Sequence, residues 1–314
     1  MLRLLVSRML AAIPLMFLSG TLVFFLIQFN PVDPAAALLG QDASLASIAQ
    51  KRAELGLDRP IMVQYWDWLT DVARLDLGTD WFTGESVMTL LVDRAPVTLS
   101  LVFGALTIAI VSGVSLGVLA ALKAGRLPDR IVTVISSFGL AIPNFWAAIL
   151  LAYFLSIQVR WFPAIWSMTR TETLSGWIHS LILPCVALGL SASAAIARQT
   201  RSSMIAVLQK DYIRTALAKG LPVRRVIRRH ALRNAAIPIV TLAGFQTSAL
   251  IGGAIFVESV FNVPGLGSLG VDAVLRKNTP VIMAFVMVTT FVVIVVNIVL
   301  DLAYAWLNPK VRPG

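Results

Sequence analysis

Charge is scarce in this sequence. Only 13% of its 314 residues are Asp, Glu, Lys or Arg, while 58% are hydrophobic; that charged share is about half of what a soluble domain carries. A soluble chain of this composition would expose apolar surface it could not cover, which excludes that class. Cysteine occurs once, as Cys185 behind Pro184 in an apolar run. One thiol makes no internal disulfide, and its expected role is small apolar packing. No lysine is followed by Ser or Thr, so the G-x-x-x-x-G-K-[ST] loop that holds nucleotide phosphates is missing. No nucleophile–base pair can be picked out, and no catalytic residue is expected.

What is present is long apolar runs. A bilayer core takes about 20 apolar residues as a helix, and six windows qualify: 9–29, 97–122, 131–157, 181–197, 237–257 and 281–307. The fourth is the shortest. The class expected is an all-α polytopic membrane protein with six transmembrane helices. With an even number of spans both termini share one side. Arg3, Arg8, Lys123, Arg126, Arg130, the ten basic residues of 198–233, Lys310 and Arg312 make 17 of the 26 bases, all on that side. The loop at 31–96 on the other side has ten acids against five bases. The excess of Lys and Arg assigns both termini to the cytoplasm. His179 and His230 then lie on opposite faces and cannot share a metal, so no metal site is expected.

The expected division is 1–30 for the first span, 31–96 for an extracytoplasmic helical cap, 97–307 for a five-helix core containing a cytoplasmic loop at 198–236, and 308–314 for a tail. A cleaved leader with Ala35–Ala37 as its small-residue site is the alternative at the start. The apolar run is too long for that and the alanines lie too far beyond it, so a retained first span is preferred. Within the cap, Asp42 is the expected cap of a helix ended by Gly56, and a second helix is expected over 61–75 with Trp66, Trp68 and Leu69 on its apolar face.

Small residues recur at every fourth position in three spans: Ala105, Ala109, Gly113, Gly117 and Ala121; Gly189, Ser193 and Ala197; Gly244, Ser248 and Gly252. Such ridges let helices approach closely in lipid. Pro14, Pro143 and Pro184 are candidate kinks. Charge within the spans is nearly absent. Asp301 and Glu258 lie near span ends, and the polar candidates for a translocation path are Asn144, Gln246, Thr247, Ser248 and Asn297. An ion-driven carrier would be expected to hold carboxylates or histidines near the midplane, which counts against that class.

The most polar stretch is "DYIRTALAKGLPVRRVIRRHALRNAAIP", residues 211–238. Asp211 is the expected cap of a short helix, Gly220 supplies a left-handed stop, and Pro222 suits the first turn of the next helix. There Val223, Val226, Ile227 and Ala231 fall on one face, with arginines elsewhere. A solvated or lipid-facing basic loop, a nucleic-acid grip and a docking site for a cytoplasmic protein all fit a basic segment. Tyr212 is its one stacking aromatic and the bilayer tethers both ends, which argues against nucleic acid.

The stretch "RTALAKG…RRHALRNAAIP" resembles the cytoplasmic motif of permeases from ATP-binding-cassette importers, in the dipeptide/oligopeptide branch. The general motif is E-A-A, three residues, Gly, nine residues, I-x-L-P. Here Arg214, Thr215 and Ala216 occupy the first three positions, and His230, Leu232 and Arg233 stand at the late ones. "ELGLDRPIMVQYWDWL", "DLGTDW", "AIPNFWAAILLAYFLSI" and "FVESVFNVPGLGSLG" are similar to the same branch, so the resemblance covers the chain. It implies a type I importer permease fold in a bacterial inner membrane. It also implies a second permease subunit, two ATPase subunits and an extracytoplasmic solute-binding protein, with ATP and magnesium on the ATPases and no cofactor here. The motif positions imply an ATPase-docking helix of Tyr212, Arg214, Thr215, Ala216, Leu217, Lys219 and Gly220. Di- or oligopeptides are the implied cargo; nickel, glutathione or an opine-like solute is the alternative.

Overall fold

A computed structural model describes residues 2–29, 33–40, 42–166 and 173–307, with the side chains of 2–7 and 300–307 left aside. The expectations for Arg3, Asp301, Lys310, Arg312 and the 308–314 tail lie outside those described positions. The described chain is almost wholly helical; Thr79 and Ser86 form an isolated antiparallel bridge. Five helices are long and apolar enough to cross a bilayer: Arg8–Gln28, Val87–Leu122, Leu174–Leu208, Val223–Phe261 and Thr279–Val299. A sixth crossing needs the pair Leu127–Ala141 and Asn144–Gln158, which is bent by 105°.

That bend falls within the third span read from the sequence, at one of its candidate kinks. Its cause is Pro143. The residue before a proline is driven out of the helical region, and Ile142 is extended at φ −83°, ψ 121°. Pro14 and Pro184 sit inside unbroken helices. The fourth span is corrected. Its helix runs 35 residues, Leu174–Leu208, and is the most buried of the five; its serines, threonines and charges hid its length from a hydropathy reading.

The chain forms two compact units: residues 2–97 with 264–294, and residues 98–263 with 295 onward. In the first, the 31–96 loop shares a core with the first helix and with 264–294. Val87 and Leu91 pack with Leu266, Leu269, Ala273, Val281, Ile282 and Ala284. A second cluster joins Phe24, Tyr65 and Met283. The loop helix Ile61–Ala73 seats through Tyr65, whose hydroxyl lies 2.9 Å from Thr21 Oγ1, and through Trp68, stacked on Phe24 at 5.9 Å. Trp66 is exposed, contrary to the expected apolar face. Gly20 makes room for the indole: a Cβ there would meet Trp68 at 2.7 Å. The preceding helix, Leu45–Glu54, is capped by Ser44, whose Oγ accepts the Ser47 amide at 3.1 Å. Asp42 is too early in the chain to be that cap.

In the second unit the small-residue ridges of the second and fourth spans meet. A Cβ on Gly113 would stand 2.8 Å from the Ser193 carbonyl oxygen, one on Gly117 2.6 Å from that of Ala197, and one on Gly189 2.7 Å from that of Ala105. Ser112 and Ser193 share a hydroxyl hydrogen bond of 2.7 Å at the seam. Cys185, buried as expected, directs its thiol to the Leu101 carbonyl at 3.5 Å. The third ridge differs. Gly252 faces open space, and its neighbour Gly253 packs against Leu188 and Asn144.

Candidate coupling and translocation sites

The short helix is Asp211–Ala218. Lys210 rather than Asp211 is its cap residue; Asp211 lies in the first turn, where its charge suits the positive end of the helix and its carbonyl accepts the Thr215 hydroxyl at 3.0 Å. Gly220 has φ +78°, and the Leu221 amide reaches back to the Ala216 carbonyl at 3.3 Å. This is the glycine stop the sequence announces. Ile213 and Ala216 turn inward, at 2% and 9% exposure. Tyr212, Arg214, Thr215, Leu217, Lys219 and Gly220 are all exposed. Six of the seven expected docking positions therefore lie outward, and Ala216 packs against the chain itself.

Pro222 precedes a helical stretch that starts at Val223–Arg225, widens into π turns over Val226–Ala231 and continues as Leu232–Phe261. The wide turns change the face read from the sequence. Val226, Ala231 and Ala235 are buried, whereas Val223 is 61% exposed. A five-residue step such as 226 to 231 stays on one side only where the helix is underwound.

One ion pair stands beside this region that sequence reading misses. Asp129, 4% exposed, accepts a hydrogen bond from Arg201 Nη2 at 2.8 Å and another from Arg201 Nε, and the Gly125 amide donates to it at 2.8 Å. The two residues are 72 positions apart, and an acid in a basic turn gives no sign of so distant a partner. The pair ties the start of Leu127–Ala141 to the end of Leu174–Leu208, a few residues before the short helix. Removing one partner of a fully buried pair costs about 3–5 kcal/mol. Arg201 is partly solvated, so Arg201→Gln is expected to cost about 2 kcal/mol. Denaturant unfolding in detergent measures this, and combining it with Asp129→Asn is expected to cost less than the two changes summed.

The polar candidates within the spans separate into groups. Asn144, just past the 105° break, accepts the Ser191 hydroxyl at 2.9 Å, and its amide nitrogen occupies the space a Gly253 side chain would need. Ser248 donates to Asn297 at 3.4 Å. Gln246 is half-buried. Thr247 is buried and donates to its own helix at Ala243, 2.9 Å away, so its hydroxyl is spoken for. Glu258, wholly buried, accepts the Thr98 hydroxyl at 2.6 Å. His179 stacks on Phe162 at 5.4 Å. Among the described residues no group of three or more His, Cys, Asp or Glu is placed to hold a metal ion.

Comparison with known families places the chain. Residues 113–313 match the model of the binding-protein-dependent transport system inner membrane component, and residues 1–102 match the model of its N-terminal region. The chain belongs to this permease family. A permease named for a peptide ABC transporter in Sinorhizobium fredii is 39% identical over 305 residues, 97% of each chain. One named for a peptide transport system in Brucella abortus is 37% identical over 309 residues, 98% of each. The glutathione transport system permease of Pectobacterium atrosepticum is 38% identical over 312 residues, 99% of each. Among solved structures, the inward-facing MetNI methionine ABC transporter matches with a TM-score of 0.58 at 21% identity, covering 70% of this chain and 97% of that one. That likeness shows the fold of a type I importer permease. This permease is a multi-pass protein of a bacterial inner membrane, and its family works with ATPase and solute-binding partners.

Proposed function

We propose that this chain is one of two permease subunits of a peptide importer, driven by two ATPases, one of which docks on Tyr212–Gly220. The observation that carries the reading is the helix–glycine elbow between two membrane-crossing helices, with Tyr212, Arg214, Thr215, Leu217 and Lys219 facing outward. A short helix held at both ends moves as a unit with its neighbours, because packed helices slide without deforming. ATP and magnesium belong to the partners; this chain contributes the seat and the path. Both termini and the elbow face the cytoplasm, a reading that the distribution of basic residues supports, and the 31–96 cap faces the binding protein. The second permease is a different polypeptide.

Peptide cargo is supported by the names of the relatives that match over nearly the whole chain. Asn144, Ser191, Gln246, Ser248 and Asn297 supply neutral donors and acceptors, suited to amide groups of varied peptides, and leave selection to the binding protein. Glutathione is the second reading, favoured by a relative of equal similarity. The test is uptake of a labelled dipeptide, and separately of glutathione, into proteoliposomes carrying the whole transporter with its binding protein. ATP-dependent dipeptide uptake that an ionophore leaves intact is the expected result. Uptake that persists without ATP and collapses with the proton gradient would overturn it.

A further inference from the structure

Five arginines lie within ten positions: Arg224, Arg225, Arg228, Arg229 and Arg233. All are exposed, because Val226, Ala231 and Ala235 take the buried side of the π-widened stretch. Among the described residues none of the five has an ion-pair partner. The acid of this segment, Asp211, stands 4.0 Å from Arg214 instead. Arg224 and Arg228, Arg225 and Arg229, and Arg229 and Arg233 are each four apart. Like charges within about a turn of one another repel weakly, so an anion beside the stretch would be stabilising.

Every base between 221 and 236 except His230 is Arg, as are 20 of the 26 bases of the chain. Arginine's planar fork grips phosphate through two parallel hydrogen bonds, which a lysine ammonium cannot do. The surroundings select the source of the phosphate. Val223 is 61% exposed beside the first arginines, and the helix runs without a break into the apolar Leu232–Phe261 segment, so the patch leads from the elbow toward the membrane surface. Arginines beside one exposed valine at the foot of a candidate span match a lipid with an anionic head.

We propose that Arg224, Arg225, Arg228, Arg229 and Arg233 form a binding site for the phosphate of an anionic phospholipid. The site is distinct from the Tyr212–Gly220 seat, and its existence does not depend on which cargo is carried. The probe is phosphatidylglycerol, with phosphatidylcholine as the zwitterionic control. Each is titrated onto the delipidated transporter, and retained lipid is counted by native mass spectrometry.

The wild type is expected to retain phosphatidylglycerol at least about tenfold better than phosphatidylcholine. Each Arg→Gln change at 224, 225 and 228 is expected to lower that retention about fivefold, leaving phosphatidylcholine unchanged. Equal retention of the two lipids by the wild type overturns the proposal without any variant, which covers the case of a variant that fails to insert. Replacing the same three by Lys keeps the charge that orients the spans and is expected to lower retention less than Gln does. Excess inorganic phosphate is expected to leave the lipid in place. Complete displacement by it would make this a free-anion site. A Gln variant that keeps its phosphatidylglycerol but sheds the ATPases would show that the arginines face a protein, and the lipid site would be refuted.

Discussion

Gly220→Val is expected to lower transport-coupled ATP hydrolysis by about tenfold or more, while the permease still inserts and assembles. The reason is confined to the backbone. Gly220 sits at φ +78° with nothing within 4 Å of where a Cβ would be, so side-chain volume costs nothing. An L-residue in that left-handed conformation pays about 1–2 kcal/mol, and a β-branched residue is a true outlier there. The turn relieves that strain by giving up the Leu221-to-Ala216 closure, and the outward face of the short helix rotates away from its partner. Gly220→Ala should lie between valine and wild type. Gly220→Asn is the informative control, since Asn tolerates the conformation and should keep most of the coupling. The measurement is ATPase stimulation by loaded binding protein in the reconstituted transporter. Wild-type stimulation in the valine variant would remove the elbow from the mechanism.

Gly117→Leu is expected to prevent stable folding rather than to impair coupling. The helices Val87–Leu122 and Leu174–Leu208 approach so closely that a single carbon on Gly117 would stand 2.5 Å from Thr200 Cβ and 2.6 Å from the Ala197 carbonyl oxygen. The oxygen belongs to backbone and cannot rotate aside. Overpacking a tight core costs about 1–3 kcal/mol and occasionally more, and a leucine driven against the backbone of the neighbouring helix belongs at or above that upper end. Thermal unfolding in detergent and the yield of monodisperse protein read the effect. Gly252→Leu is the matched control. That glycine belongs to a ridge of the same appearance in sequence but faces open space, so its variant should unfold like the wild type. If both variants were equally stable, the seam between the two helices would not be holding the unit together.

Those two glycines show what could be read from the sequence and what could not. A four-residue rhythm of small side chains marks a helix face that another backbone can approach, and two of the three ridges do pair. Rhythm carries no information about which neighbour arrives, so Gly244, Ser248 and Gly252 looked equivalent to the pair that meets. The glycine stop at 220 was legible because it is local chemistry, complete within five residues. The Asp129–Arg201 pair was not, because its partners are brought together only by the packing of two helices. Proline gave a mixed signal. Pro14, Pro143 and Pro184 read alike, yet only the span holding Pro143 turns through 105°, since neighbouring segments decide whether a kinked helix continues. Wide turns at 226–231 were invisible to a search at the ordinary helical period, which misassigned Val223 to the buried side.

The helix Leu174–Leu208 has 35 residues, hence a length of roughly 52 Å at about 1.5 Å per residue, against a hydrocarbon slab of about 30 Å. From the end of its apolar centre at Ala197, 11 residues remain, enough to stand roughly 16 Å farther out. The helix therefore outreaches the hydrocarbon, and the elbow at 209–220 is carried clear of it. A water-soluble motor could reach the elbow there without entering the apolar slab.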